Sequence, residues 1–127
     1  MKLATYLAIA GAVSVLLGLE FLLVPGFGLR QYAIPTEPHN LMQARYFGET
    51  LLAFGLVVWL ARGTRDEVAL RAILQASIVG NVLGAGISVW AALTGLQNEM
   101  VWGSTAIYAL FSLASLYYLL SPTRRAP

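Results

Sequence analysis

Four apolar stretches, Leu3–Val24, Leu41–Ala61, Ala69–Thr94 and Met100–Leu120, occupy nearly all of the 127 residues. A helix needs about 20 mostly apolar residues to cross the hydrocarbon core of a bilayer, and each run meets that length. Within lipid, every backbone polar group must find its partner in the chain itself, so such segments span as helices. The expectation is an all-α, polytopic membrane protein. Residues 1–127 form one domain, an antiparallel bundle of four transmembrane helices. Function then resides between helices, in the short loops, or on a helix face offered to another membrane protein.

Charged residues make up only 11% of the chain and hydrophobic residues 58%, against roughly 25% charged in a soluble domain. A net charge of +2, with no basic cluster interleaved with aromatics, argues against nucleic acid as a partner. The chain has no cysteine, which excludes thiol redox chemistry, disulfides and iron–sulfur clusters. Lys2 and the triplet Ala8-Ile9-Ala10 have the look of a signal peptide. A secretory apolar region is about 7–15 residues long and ends before its cleavage site; here it runs on to Val24, so the segment reads as a retained first span.

The basic residues set an orientation. Lys2 precedes span 1, Arg62, Arg65 and Arg71 lie around the connection of spans 2 and 3, and Arg124 and Arg125 follow span 4. With four spans all of these fall on one side, while the other has Arg30 in its loop and Arg45 just inside span 2. Excess Lys and Arg mark the cytoplasmic face, so both termini are expected there, and the bias opposes dual topology. Trp59, Trp90, Trp102, Tyr117 and Tyr118 fall near span ends, where indole and phenol groups favour the headgroup level.

The connections 62–68 and 95–99 are short, which predicts spans 2, 3 and 4 as antiparallel neighbours. Between spans 1 and 2, Pro25, Pro35 and Pro38 exclude one continuous helix through residues 25–40. Phe27, Leu29, Tyr32 and Ile34 make that segment too apolar for a solvated loop. It is expected to lie on the outer surface, with a helical turn around residues 29–33.

Apart from Arg71 at the edge of span 3, three charged residues fall inside the spans: Glu20, Arg45 and Glu49. Such groups are costly in lipid and are usually paired in the bundle interior. Glu20 and Arg45 lie at similar depth from the same side, and Glu49 follows Arg45 at i+4, which suggests one buried cluster. Arg45 would either lock span 1 to span 2 or leave a carboxylate to hold a proton or a cation. On span 2, Arg45, Gly48, Glu49, Leu52, Gly55, Leu56 and Trp59 follow helical spacing and suggest a protein-facing stripe. Span 3 has Ser77, Asn81, Gly84, Ser88 and Ala91, with Gly80 at the margin. Gly80 and Gly84 form a GxxxG, which permits close helix approach or dimerisation. Gly11, Ser14 and Gly18 share one side of span 1, roughly opposite Glu20, so that span meets protein on two faces. Asn81 is expected to bond a neighbouring helix or to bind substrate. Thr105, Tyr108, Ser112 and Ser115 offer hydroxyls on span 4. His39 and Glu37 are two candidate ligands where zinc usually needs at least three. No metal, cofactor or catalytic constellation is expected.

The run Gln43-Ala44-Arg45-Tyr46-Phe47-Gly48 opens span 2 after a proline-containing loop. This layout, with Gly55 further in and a short basic turn into span 3, resembles small four-span bacterial membrane proteins of the DoxX-like kind. The local pattern Gln-Ala-Arg-x-Phe-Gly also resembles the ergosterol-biosynthesis scaffold family of eukaryotes, whose members tether sterol-modifying enzymes and have no known active site. Gly80-Asn81 stands where that family has Gly-His, and its following acidic residue is absent from Gly84-Ala85-Gly86. The resemblance implies a scaffold in a bacterial cytoplasmic membrane; the partner expected from the helix faces is another membrane protein or a second copy. An accessory subunit packed against a larger respiratory or photosynthetic complex is a further option, since it too needs only helix faces. The competing class is a small proton-coupled transporter, or a binder of a lipophilic ligand, using Glu20 or Glu49. Small multidrug-resistance transporters have four spans and a glutamate in the first, though theirs is central and Glu20 is near the span's end.

The orientation has a direct test with cysteines placed in this cysteine-free chain. In intact cells an impermeant thiol reagent should label Pro38→Cys and Asn98→Cys but not Asp66→Cys. The inverse pattern would reverse the topology.

Overall fold

The computed structural model describes residues 1–121; Arg124 and Arg125, counted above for orientation, lie outside the described residues. The described chain is all-α, with the order α1 (Leu3–Leu23), α2 (Pro25–Gln31), α3 (Pro38–Ala61), α4 (Glu67–Leu93) and α5 (Met100–Leu120). All but α2 are long and apolar enough to cross a membrane. The bundle end carrying residue 1 and the turn 62–66 is termed proximal. The end carrying α2 and the turn 94–99 is distal.

Local signals explain the boundaries. Both α2 and α3 start with proline at their first helical position, where the missing N–H would be unsatisfied in any case and the fixed φ suits a helix. The 25–40 segment therefore holds two turns of helix at Pro25–Gln31, earlier than the single turn expected around 29–33, and α3 starts at Pro38, ahead of the expected Leu41. Asp66 caps α4, its Oδ1 accepting from Val68 N at 2.9 Å and Ala69 N at 3.2 Å. The other end of α4 closes on Gly95 at φ +69°, with Leu96 N donating to Ala91 O at 3.1 Å. That left-handed stop reverses the chain into α5. Ala33, at φ 57°, closes α2 in the same way, with Ile34 N donating to Leu29 O at 3.0 Å.

The tightest packing joins α1 to α3, through backbone rather than side chains. A Cβ placed on Gly18 would stand 2.6 Å from Leu52 N, and one on Gly48 only 2.5 Å from Leu22 N and 2.7 Å from Gly18 O. A Cβ on Gly11 would stand 2.7 Å from Trp59 N, and one on Gly55 2.8 Å from Ser14 Cβ. Small residues seven apart on each helix thus let the two axes come within backbone contact, where packing rather than a solvent-driven force holds membrane helices together.

The second pair is α4 with α5, where Tyr108 lies over Gly84 at 2.8–3.0 Å from its would-be Cβ. Spans 2 and 3 were expected to be close neighbours, because a short turn joins them. The structure instead builds two hairpin-like pairs, α1–α3 and α4–α5, and α3 shares no extended interface with α4. The reason is the glycine rows, which give α3 a closer partner in α1 than any side-chain packing against α4 could provide.

The pairs are joined at both ends. Proximally, Leu3, Tyr6, Leu7, Ala10, Val58, Ala61, Leu70, Leu74 and Tyr118 form one buried cluster from all four long helices. Distally, Tyr32 Oη and Ser104 Oγ bond at 2.7 Å, and Asn98 Nδ2 donates to Gln31 O at 2.8 Å.

Gly48→Ala should lower stability by about 1–3 kcal/mol through overpacking, read as thermal unfolding in detergent. Gly80→Ala, where nothing lies within 4 Å of the new methyl, should unfold at or slightly above the wild-type temperature. Equal melting of Gly48→Ala and wild type would mean that α1 and α3 stand further apart than described.

Candidate functional site: the polar groups of the spans

Close approach at Gly18 decides where Glu20 points. At about 100° per residue, Glu20 lies roughly 160° around α1 from Gly18, on the side away from α3. There it meets α2, whose Gln31 Nε2 donates to Glu20 Oε1 at 2.6 Å. The carboxylate is half-buried and fastens the surface helix α2 to α1.

Arg45 and Glu49 are both exposed, and neither makes a hydrogen bond or an ion pair among the described residues. The expected Glu20–Arg45–Glu49 cluster is therefore not formed. The three residues do share a depth, since Gly48 sits against Gly18 and Leu22, but they point to different sides of the α1–α3 pair. The ion pair found among the described residues is Glu67 with Arg71 at 4.0 Å, near the start of α4.

The stripe on α3 divides accordingly. Gly48 and Gly55 are buried under α1, Leu52 and Trp59 are half-buried beside them, and Arg45, Glu49 and Leu56 face outward. Arg45, Glu49 and Leu56 do not line the interior of the chain, contrary to the expectation of one protein-facing stripe. Next to them lies an apolar groove of about 310 Å³, formed by Ala12, Val15, Leu16, Leu56 and Trp59 between α1 and α3. A larger hollow of about 460 Å³ opens at the proximal end, with Lys2, Arg62 and Arg65 on its rim and Leu3, Leu7 and Leu70 at its base. The Arg62 guanidinium stacks over Trp59 at 4.1 Å.

The small and polar residues of α4 behave closer to expectation. Ser77, Ser88 and Ala91 are buried and Gly84 is half-buried. Gly80 is exposed and touches nothing, so the GxxxG is not used as a unit within the chain. Asn81 does not reach a neighbouring helix: its Nδ2 donates to Ser77 O, one turn back on α4, at 2.7 Å. The amide is satisfied locally, as polar side chains in helices often are. Thr105 makes the equivalent bond to Val101 O at 3.0 Å.

The densest polar arrangement was not foreseen. Tyr6 Oη meets Ser115 Oγ at 2.7 Å and donates to Phe111 O at 2.9 Å, while its ring stacks on Tyr118 at 5.2 Å. Tyr118 Oη in turn donates to Met1 O at 2.7 Å. This network ties α1 to α5 and is structural in character, each hydroxyl being satisfied by another hydroxyl or by a main-chain carbonyl. Its sequence signal was a tyrosine in an otherwise apolar first span, which needs a partner for its hydroxyl when buried.

His39 and Glu37 stand exposed at the start of α3, and among the described residues no three of His, Asp or Glu come together. No family model, curated protein or solved structure matches the chain.

Because the fold makes no use of Arg45, Arg45→Ala should change thermal stability by less than about 0.5 kcal/mol, as for an uninvolved surface site. Tyr6→Phe should cost about 1–3 kcal/mol by leaving buried polar groups unpaired. A large loss of detergent stability in Arg45→Ala alone would restore the internal cluster.

Proposed function

We propose that this chain is a non-enzymatic integral membrane scaffold or accessory subunit that acts by offering the α3 face to a partner membrane protein. The observation that carries this reading is the outward exposure of Arg45 and Glu49. Glu49 lies about 12 Å along the helix axis from Leu41, where the apolar run of span 2 opens, at 1.5 Å per residue, and level with Glu20. A charge inside an apolar span costs up to about 2.5–3.5 kcal/mol on insertion scales, the full amount at the helix centre and less toward the ends. Even a neutral carboxyl needs hydrogen-bond partners in lipid. A protein surface with complementary polar groups removes that cost, which favours association on this face.

The resemblance of the Gln43–Gly48 run to DoxX-like proteins and to the ergosterol-biosynthesis scaffold family supports the same class. With it goes a bacterial cytoplasmic membrane, with both termini in the cytoplasm as the basic residues indicate. The competing transporter needs a carboxylate on a path through the bundle. Glu20 is bonded to Gln31 and Glu49 faces outward, which favours contact over transport.

Tagged chain drawn from gently solubilised native membranes should bring down a membrane protein in stoichiometric amount, this chain included. The double substitution Arg45→Leu with Glu49→Leu should lose it while melting like wild type. Purified protein in liposomes that carries proton-coupled flux of cationic substrates, abolished by Glu49→Gln, with no partner captured, would overturn the proposal in favour of a transporter.

A further inference from the structure

On α3, Met42, Arg45, Glu49, Leu52, Leu56 and Trp59 recur at alternating spacings of three and four residues. That is the seam of a two-helix coil, in which a 3.5-residue mean repeat keeps one stripe facing the partner. The seam runs along the edge of the α1 contact: the backbones of Leu52 and Trp59 lie against Gly18 and Gly11, while Met42, Arg45, Glu49 and Leu56 are exposed. The proximal apolar end of the stripe is continuous with a recess, since Leu56 and Trp59 form one wall of the groove and Ala12, Val15 and Leu16 the other.

Charge identifies the occupant. The seam carries one cation and one anion a single turn apart, and nothing in the described chain neutralises either. A partner with one unpaired charge would satisfy half of it. A surface bearing both charges one turn apart, its anion reached by the cation here and its cation reaching the anion here, satisfies all of it through two diagonal pairs, and a second copy of this chain has that surface. A two-fold axis makes such a contact isologous, each residue meeting its counterpart's complement.

We infer that the α3 seam is a homodimer interface, in which Arg45 of each copy pairs with Glu49 of the other across a two-fold axis normal to the membrane. Both copies then keep one orientation, in line with the basic-residue bias. Arg45 and the facing Glu49 stand one turn apart in depth, about 6 Å at 1.5 Å per residue, an offset that the long arginine side chain has to span. The inference rests on the reading of this face as a contact surface and adds the identity of the partner.

Two single substitutions test it, because each makes the seam repel itself and attract the other. In Arg45→Glu both charges are acidic; in Glu49→Arg both are basic. The full-length chain is reconstituted in phosphatidylcholine vesicles, and dimers are counted by single-molecule fluorescence over a dilution series in lipid. Wild type should dimerise, and each single variant alone should dimerise at least about tenfold more weakly. An equal mixture of the two should recover the wild-type dimer fraction, with one chain of each kind per dimer. Carrying both changes in one chain should restore the homodimer. Recovery also proves that the single variants fold. Single variants that dimerise like wild type, or a mixture that stays monomeric, would overturn the inference. So would wild type that is monomeric at every dilution. In that last case, capture of a different membrane protein that depends on Arg45 and Glu49 would leave the proposed function standing with another partner. Loss of that capture too would overturn both.

Discussion

Backbone contact between α1 and α3 is the constraint from which the other positions follow. Where Gly18 and Gly48 meet, a single methyl group would stand 2.5–2.6 Å from a main-chain nitrogen, so neither helix can rotate without losing the fit. That locks the azimuth of both. On α1 it turns Glu20 away from α3 and toward Gln31. On α3 it buries Gly48 and Gly55 and leaves Arg45 and Glu49 facing outward. The polar chemistry of the spans is thus a consequence of where the glycines lie.

The remainder of the bundle is held by a different logic. The α4–α5 pair joins α1–α3 through the proximal apolar cluster, through Tyr6 bonded to Ser115 and Phe111, and distally through Tyr32 and Asn98. Directional hydrogen bonds at the ends fix the relative placement of the pairs. In lipid such bonds are worth a modest amount each, on the order of 0.6–2 kcal/mol, but an unmade one leaves a hydroxyl without a partner. The short helix α2 is part of this clamp, since Gln31 contacts both Glu20 and Asn98.

Span number, span type and the irregular 25–40 segment were legible from hydropathy, length and proline alone, because in a bilayer those quantities leave few alternatives. Pairing was less legible. Short connections suggested that α3 would pack on α4, yet glycine spacing on α1 and α3 outweighs loop length, and both rows were visible in the sequence. The failed charge cluster has the same origin. Depth along a helix is read from residue number, and Glu20, Arg45 and Glu49 do share a depth. Direction around the axis depends on which face meets the neighbour. Placing Gly11, Ser14 and Gly18 opposite Glu20 was correct, and once Gly18 is known to face α3 the same arithmetic removes Glu20 from Arg45. Asn81 shows a further limit: a mid-span amide signals a need for a partner, but its own helix supplied one at Ser77.

The central claim is that the outward face of α3 is covered by protein in the membrane. Ala53 lies on that side of the helix, one turn from Glu49, and is exposed. A photoreactive residue at position 53 leaves Arg45 and Glu49 in place. On illumination of native membranes the account predicts an adduct between two copies of this chain. Adducts with lipid alone would contradict it.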